Sequence, residues 1–149
     1  MLMEKWFWKV LDSMAIAELE RKEIKKEAEF LESLGYTRTE DQYSINYRLN
    51  DICISIVYPP NSDESDVNIR FIEKNQVFSV GWIALVRADI RGNNDKFINV
   101  KELLKYVENQ YLQIKDYQYC VESNNLVDRY VEEHCEKFDN VVQNFLSQN

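Results

Sequence analysis

Apolar and polar positions alternate through the middle of the chain, a pattern typical of strands with one buried face. The segment 43–58, YSINYRLNDICISIVY, turns at Asn50-Asp51, where a two-residue loop pairs Leu49 with Ile52. The pairs that follow are all apolar and share one face: Tyr47–Ile54, Ile45–Ile56 and Tyr43–Tyr58. This agreement predicts a hairpin of strands 43–49 and 52–58.

A second hairpin is predicted beyond the polar loop 59–66, PPNSDESD. With Lys74-Asn75 as its turn, the apolar pairs are Phe71–Phe78, Ile69–Val80 and Val67–Trp82. The pattern therefore predicts strands 66–72 and 77–89. The four strands form an antiparallel meander.

The last predicted strand contains FSVGWIALVRADI, residues 78–90, which is apolar on both faces after Gly81. A glycine inside a strand indicates a bulge or the close approach of a covering element. We expect helices to cover one whole face of the sheet and part of the other. The alternative is that Ile83 and Leu85 are exposed and bind a partner.

Residues 14–34 are predicted to form an N-terminal helix, because Ile24, Ala28 and Leu31 recur at helical spacing and Gly35 supplies a stop. The mixed charges of ELERKEIKKEAE indicate a solvated face. The segment Trp6–Trp8 either extends this helix or packs separately.

Two C-terminal helices complete the predicted fold. In the helix 98–114, Asn99 and Glu102 form a capping box, flanked by a staple of Ile98 and Leu103. The last helix, 125–147, has one apolar stripe: Val127, Tyr130, Val131, His134, Phe138, Val141, Val142 and Phe145. We expect a single α+β domain over 1–149, with the N-terminal helix and these two helices packed on the four-stranded meander.

Composition narrows the range of functions. The chain has 149 residues, 45% hydrophobic and 30% charged, as in a soluble globular protein. Its net charge of −8 argues against binding to nucleic acids or anionic membranes and favours a basic partner. Three widely spaced cysteines indicate reduced thiols and a cytoplasmic location. The N-terminus lacks the pattern of a signal peptide, and no stretch has the roughly 20 apolar residues of a membrane span.

The sequence offers little catalytic chemistry. His134 is the single histidine, and its place in the apolar stripe predicts a buried core residue rather than a metal ligand. Asp63, Glu64 and Asp66 share one loop but lack the spacing of a calcium site. No nucleophile elbow, phosphate loop or dinucleotide fingerprint occurs. We therefore expect no metal, no cofactor and no enzymatic activity.

Two features of the C-terminal region are candidates for partner binding. Asp128, Glu132, Glu136 and Asp139 form an acidic stripe opposite the apolar stripe of the last helix. Tyr117 and Tyr119 belong to a tyrosine-rich segment, and tyrosine is enriched in interface hot spots. The alternative is that Tyr111 belongs to the core and that the other tyrosines cap the sheet edge.

The chain resembles the small acidic α+β immunity proteins encoded beside bacterial polymorphic toxins. The resemblance rests on the amphipathic first helix, the meander ending FSVGWIALVRADI, the Asn-capped helix NVKELLKYVE and the acidic last helix. It implies a cytoplasmic, non-enzymatic inhibitor that binds one toxin domain, and many such toxins are basic nucleases.

Two alternatives remain open. One is a ligand-binding or enzymatic domain with a pocket between sheet and helices, using Arg48, Arg70, Arg87 and the loop carboxylates. Arg70 and Arg87 are expected on the face away from the Phe71 and Phe78 core, where they line a cleft if that face is only partly covered. The other is an oligomerisation module that pairs through the last strand or through Ile83 and Leu85. The identity of the partner and the oligomeric state are left undetermined by the sequence.

Overall fold

Five antiparallel strands, in the order β1-β2-β3-β4-β5, form one sheet in the computed structural model. The structure describes residues 18–57, 65–90 and 99–148, without the side chains of 136–145 and 148. The strands are β1 Thr37–Glu40, β2 Ser44–Leu49, β3 Ile52–Val57, β4 Asp66–Phe71 and β5 Gln76–Ser79. The helices are α1 (described over 18–27), α2 Glu29–Ser33, α3 Val80–Ala88, α4 Val100–Asn109, α5 Tyr111–Ile114 and α6 Tyr117–Gln148. Trp6–Trp8, Tyr58 and Ile98 lie outside the described residues.

The first predicted hairpin is confirmed with its register. β2 and β3 pair Leu49 with Ile52, Tyr47 with Ile54 and Ile45 with Ile56. Asn50 takes a left-handed φ of 53° in the two-residue loop, a conformation that Asn tolerates better than most residues. Ile45, Tyr47, Ile54 and Ile56 are buried on one face of this hairpin. Leu49 and Ile52 are partly buried, and Tyr43, predicted on the same face, is exposed.

The prediction of four strands is wrong, because β1 precedes the hairpin as a fifth, edge strand. Its four residues, TRTE, are all exposed, so no apolar alternation marks them in the sequence. Backbone pairing to β2, from Thr37 with Arg48 to Glu40 with Ile45, defines the strand. Lys25 of α1 also reaches Glu40 at 2.7 Å.

The register of the second hairpin also differs from the prediction. Ile69 pairs with Phe78, and Phe71 pairs with Gln76. A four-residue turn over 72–75 joins the two strands, and it is closed by the Asn75 N–H, which donates to the Ile72 carbonyl at 3.1 Å. The Ile72 N–H donates to the Asp51 carbonyl at 2.8 Å and so extends the pairing of β4 with β3 by one position. The slip is by an even number of residues, so Phe78 still faces the core.

The predicted strand 77–89 is wrong beyond Ser79, where the chain enters helix α3. The Ser79 side chain caps the helix by accepting the Trp82 N–H at 3.3 Å. Asp66, at the start of β4, accepts the Ser79 hydroxyl at 2.6 Å and the Gly81 N–H at 3.3 Å. Gly81 therefore lies in the first turn of a helix and not in a strand bulge.

Two of the predicted helices contain a break. The N-terminal helix is interrupted at Ala28, between α1 and α2, although Ile24, Ala28 and Leu31 are buried as expected. It ends at Gly35 (φ 103°), beyond which Tyr36 N–H donates to the Leu31 carbonyl. The helix after Asn99 is interrupted at Gln110, between α4 and α5. Its predicted cap is confirmed, since Asn99 Oδ1 accepts the Glu102 N–H at 2.9 Å.

The last helix begins at Tyr117, eight residues before its predicted start. Asp116 Oδ1 accepts the Gln118 N–H at 3.1 Å and caps this end. Cys120 and Ser123 occupy the buried face of the first turns. These small residues do not continue an apolar stripe, so the sequence pattern hid this part of the helix.

The hydrophobic core lies on one side of the sheet, between the strands and the helices. Ile54, Ile56, Val67 and Ile69 are fully buried there. The expected partial cover of the second face has no counterpart in the described part of the chain, because the residues that suggested it belong to α3. Ile83 is buried, so the alternative of an exposed Ile83 is wrong.

Candidate functional site: helix α6 and the open sheet face

Helix α6 extends past the body of the domain. Its 32 residues correspond to about 48 Å. Cys120 and Val127 are buried against the body, but all five residues of Val131–Cys135 are exposed. Five residues exceed one turn of 3.6, so every side of this helix segment is open to solvent.

The acidic stripe begins where the helix leaves the body. Asp128 and Glu132 are both exposed, and neither forms a hydrogen bond or ion pair within the described residues. They lie four positions apart on one helix face, about 6 Å from each other. The sequence continues this stripe with Glu136 and Asp139, whose side chains lie outside the description.

Tyr117 is placed apart from the acidic stripe, at the edge of the sheet. Its ring packs edge-on against Phe71 and Phe78, with centroids 5.2 and 6.2 Å away. The Tyr117 hydroxyl donates to Gln76 Oε1 at 2.9 Å. Eleven residues separate it from Asp128, about 16 Å along the helix axis.

Tyr119 anchors the helix together with Arg87 of α3. The Arg87 guanidinium lies over the Tyr119 ring, 4.5 Å from its centroid. Arg87 Nε donates to Ser123 Oγ at 2.9 Å, and that hydroxyl donates to the Tyr119 carbonyl at 2.7 Å. Arg87, which the sequence suggested for a cleft at the sheet, therefore fixes α6 against α3.

The prediction that His134 is a buried core residue is wrong. The side chain is exposed, with its ring stacked on Tyr130 at a centroid distance of 3.9 Å. Its Nδ1 lies 2.8 Å from the Tyr130 carbonyl oxygen, which only accepts, so Nδ1 carries the proton. Tyr130 in turn packs on Trp82 of α3. Of the predicted apolar stripe, Val127 is buried, but Val131 and His134 are exposed because the body of the domain ends before them. The side chains of Phe138, Val141, Val142 and Phe145 lie outside the description.

Of the three acidic residues in the loop 59–66, Asp66 is described, whereas Asp63 and Glu64 lie outside the described residues. The Asp66 carboxylate accepts hydrogen bonds from Ser79 and Gly81 at the N-terminus of α3. Burial raises the pKa of Asp66, because the loss of water outweighs the hydrogen bonds from Ser79, Val67 and Gly81. Within the ranges that the structure describes, no group of three or more His, Cys, Asp or Glu side chains is placed to hold a metal ion.

All three thiols, Cys53, Cys120 and Cys135, are free. Burial raises the pKa of Cys120 to about 12, so this thiol stays protonated, and it donates to the Ile114 carbonyl at 3.2 Å. Cys120 thus has a structural role at the start of α6.

The second face of the sheet carries polar side chains and a groove of about 580 Å³. Ser55 Oγ donates to Asn46 Oδ1 at 2.7 Å, which forms a polar ladder across β2 and β3. Arg70 on β4 lines the groove. Arg48 on β2 lies in the same cross-strand row, with Cys53 of β3 between the two arginines. The alternating positions of the strands predicted that Arg70 lies on this face, whereas Arg87, expected beside it, belongs to α3.

Comparisons of the chain with protein-family models, with curated proteins and with solved structures found no match. Among the helices of the described residues, none combines the length and the apolar composition needed to span a membrane.

Proposed function

We propose that this chain is a non-enzymatic binding protein of the immunity type, which occludes a basic toxin or nuclease domain with the acidic face of α6. The observation that supports this function is the exposed turn Val131–Cys135, which contains Glu132 and follows Asp128, two carboxylates without an ion pair among the described residues. A helix that is free on all sides can enter a concave site on a partner.

Charge favours the encounter with such a partner. The net charge of −8 attracts a basic domain at long range, and the stripe concentrates negative charge on one helix face. Complementary charge of this kind raises the association rate and directs the orientation of the encounter. Because the stripe is exposed, added salt screens the attraction.

The base of the helix is held firmly, which limits the entropy lost on binding. Tyr117 contacts the sheet edge, and Arg87 and Ser123 connect α3 to the helix. Beside the carboxylates, Val131 is 39% exposed and offers an apolar contact. Tyr117 and Tyr119 thus act in this proposal by positioning α6, while the carboxylates contact the partner.

The test uses the basic domain of the toxin that this hypothesis expects to be encoded beside the gene. Affinity is measured by titration calorimetry for the wild type and for Asp128→Lys/Glu132→Lys, at two salt concentrations. Reversing two exposed charges costs about 1–2 kcal/mol, so we expect roughly tenfold weaker binding at low salt and a smaller difference at high salt.

The matched control is Glu18→Lys/Glu20→Lys, which makes the same charge change at two exposed positions of α1. It should weaken binding much less than the α6 variant does. Equal losses in both variants would show a general charge effect and would refute the assignment to α6. Sedimentation of the free protein measures its oligomeric state and so tests the oligomerisation alternative, which requires self-association through a large apolar interface.

A further inference from the structure

The open face of the sheet differs in charge from the rest of this acidic protein. Arg48, Cys53 and Arg70 form one cross-strand row on β2, β3 and β4. Arg48 and Arg70 are exposed, and neither forms an ion pair within the described part of the chain. Two strand spacings separate their backbones, about 10 Å, and the short Cys53 side chain lies between them.

Hydrogen-bonding groups remain available beside this row. The Asn68 amide and the Arg70 guanidinium have no hydrogen-bond partner among residues 18–57, 65–90 and 99–148. Asn46 and Ser55 are already joined at 2.7 Å, which holds the neighbouring polar side chains in fixed positions. The face therefore presents free donors next to an ordered polar ladder.

The groove runs diagonally between two exposed side chains, Tyr43 (46% exposed) at one end and Val77 (52% exposed) at the other. From Ser44 on β2 to Arg70 on β4 the path covers two strand spacings and four residues, roughly 16 Å. An extended peptide of about five residues has this length. Tyrosine and arginine are also the side chains most enriched in binding hot spots.

One carboxylate lies in the groove lining, that of Asp41 at the end opposite Arg70. It accepts the Tyr43 N–H and the Ser44 hydroxyl, both at 2.8 Å. These hydrogen bonds lower the pKa of Asp41, that from Ser44 most, so the group is charged at neutral pH. The Arg21 guanidinium also lies at this end, where it donates to the Asp41 and Gln42 carbonyls at 2.9 and 2.6 Å. Arg70 is the cationic side chain in the described groove lining, so an acidic side chain fits the end that carries Arg70.

We infer that this groove is a second binding site, which takes an extended, acidic peptide segment with a carboxylate paired to Arg70. Arginine binds carboxylates in a bidentate manner, which gives orientation as well as affinity. A peptide is favoured over a nucleic acid because the net charge of −8 repels a long polyanion, whereas a short segment meets mainly the local field.

The experiment is a ¹H–¹⁵N NMR titration of the full chain with capped pentaglutamate. We expect shifts of the Asn46, Ser55 and Asn68 amide resonances, and at least tenfold weaker binding for Arg70→Glu. The matched control is Arg129→Glu, an equal charge change on the exposed surface of α6, which should retain the affinity within twofold. Both variants change exposed side chains, and circular dichroism verifies their fold.

Four outcomes would overturn the inference. The first three are the absence of shifts at millimolar peptide, shifts that Arg70→Glu leaves unchanged, and equal or tighter binding of the oligonucleotide dT6 at the same residues. Shifts at these residues that depend on protein concentration without peptide would assign the face to a second copy, also against the inference. The site is remote from Asp128 and Glu132, so charge reversal there should leave pentaglutamate binding intact, and the two proposals can fail separately.

Discussion

Replacing Asp66 with alanine tests whether one carboxylate holds the junction at which β5 becomes α3. The carboxylate accepts the Ser79 hydroxyl at 2.6 Å and the Gly81 N–H at 3.3 Å, while Ser79 Oγ accepts the Trp82 N–H. The substitution leaves the Ser79 and Gly81 donors without this acceptor. It also removes a negative charge from the N-terminus of a helix.

The magnitude follows from these contacts. A charge-assisted hydrogen bond contributes about 1.5–3 kcal/mol, and the long bond from Gly81 contributes less. Removing a partly buried carboxylate offsets some of this loss, because its desolvation cost disappears. We expect a net destabilisation of about 2 kcal/mol, or about 4–8 °C in Tm for a domain of this size.

Ser79→Ala alone should cost about 1 kcal/mol, the usual effect of losing an N-cap. The double variant should cost about 1 kcal/mol less than the sum of the two single changes, because both remove the Ser79–Asp66 bond. Urea unfolding followed by circular dichroism measures all three values, and Glu108→Ala, at an exposed position of α4, serves as the control. Full additivity, or an Asp66→Ala cost below 0.5 kcal/mol, would refute the reasoning.

The contribution of Asp66 to the pH dependence of the unfolding free energy has a definite sign. Burial raises the pKa of Asp66 above its ordinary value of 3.8, so the folded state binds this proton more tightly than the unfolded state does. Its contribution to stability is therefore complete below pH 3.8 and decreases as the pH rises through the folded-state pKa. The Asp66→Asn variant should lack this decrease when the unfolding free energy is measured from pH 3.8 upward through the folded-state pKa of Asp66.

Two further predictions concern the core and the edge strand. Ile54→Ala, at a fully buried position, should cost about 2–5 kcal/mol in urea unfolding, whereas Val77→Ala, at a position that is 52% exposed, should stay within about 0.5 kcal/mol. At Glu40, the hydrogen bond from Lys25 holds the pKa below its usual value, so this stabilisation is present above pH 4.5 and is lost as the pH falls through the folded-state pKa. Glu40→Gln should therefore reduce the loss of stability on acidification, and unchanged slopes would show that the ion pair contributes nothing.

Contacts between residues close in sequence were predictable from the sequence. The β2–β3 register follows from the two-residue loop, because this loop places the apolar residues of both strands on the same face. The observed pairs, from Leu49–Ile52 to Ile45–Ile56, have this register. The end of α2 at Gly35 and the Asn99 cap of α4 depend on hydrogen bonds that span at most five residues. These features need no knowledge of the rest of the fold.

The candidate site was predicted only in part. The acidic stripe follows from helical spacing, and the exposure of Asp128 and Glu132 agrees with it. Two features depend on where α6 packs, which no local sequence pattern contains. One is the place of Tyr117 at the sheet edge, and the other is the end of the domain body before His134. Arg70 was expected on the sheet face away from the core, where it lies, but the other lining residues of the groove were not predicted because they come from strands that are separated in sequence.

By itself, the sequence determined the α+β class, the first hairpin, the end of α2 and the start of α4, since each depends on backbone geometry and short-range pattern. The tertiary structure alone decided whether residues 80–88 are strand or helix, because an apolar run satisfies either form and Asp66 lies 13 residues before the Ser79 that it supports. It also decided that β1 is a strand, because its four residues are all exposed and only the backbone pairing to β2 defines it. Both outcomes depend on hydrogen bonds made in the folded arrangement, which the apolar and polar pattern along the chain does not contain.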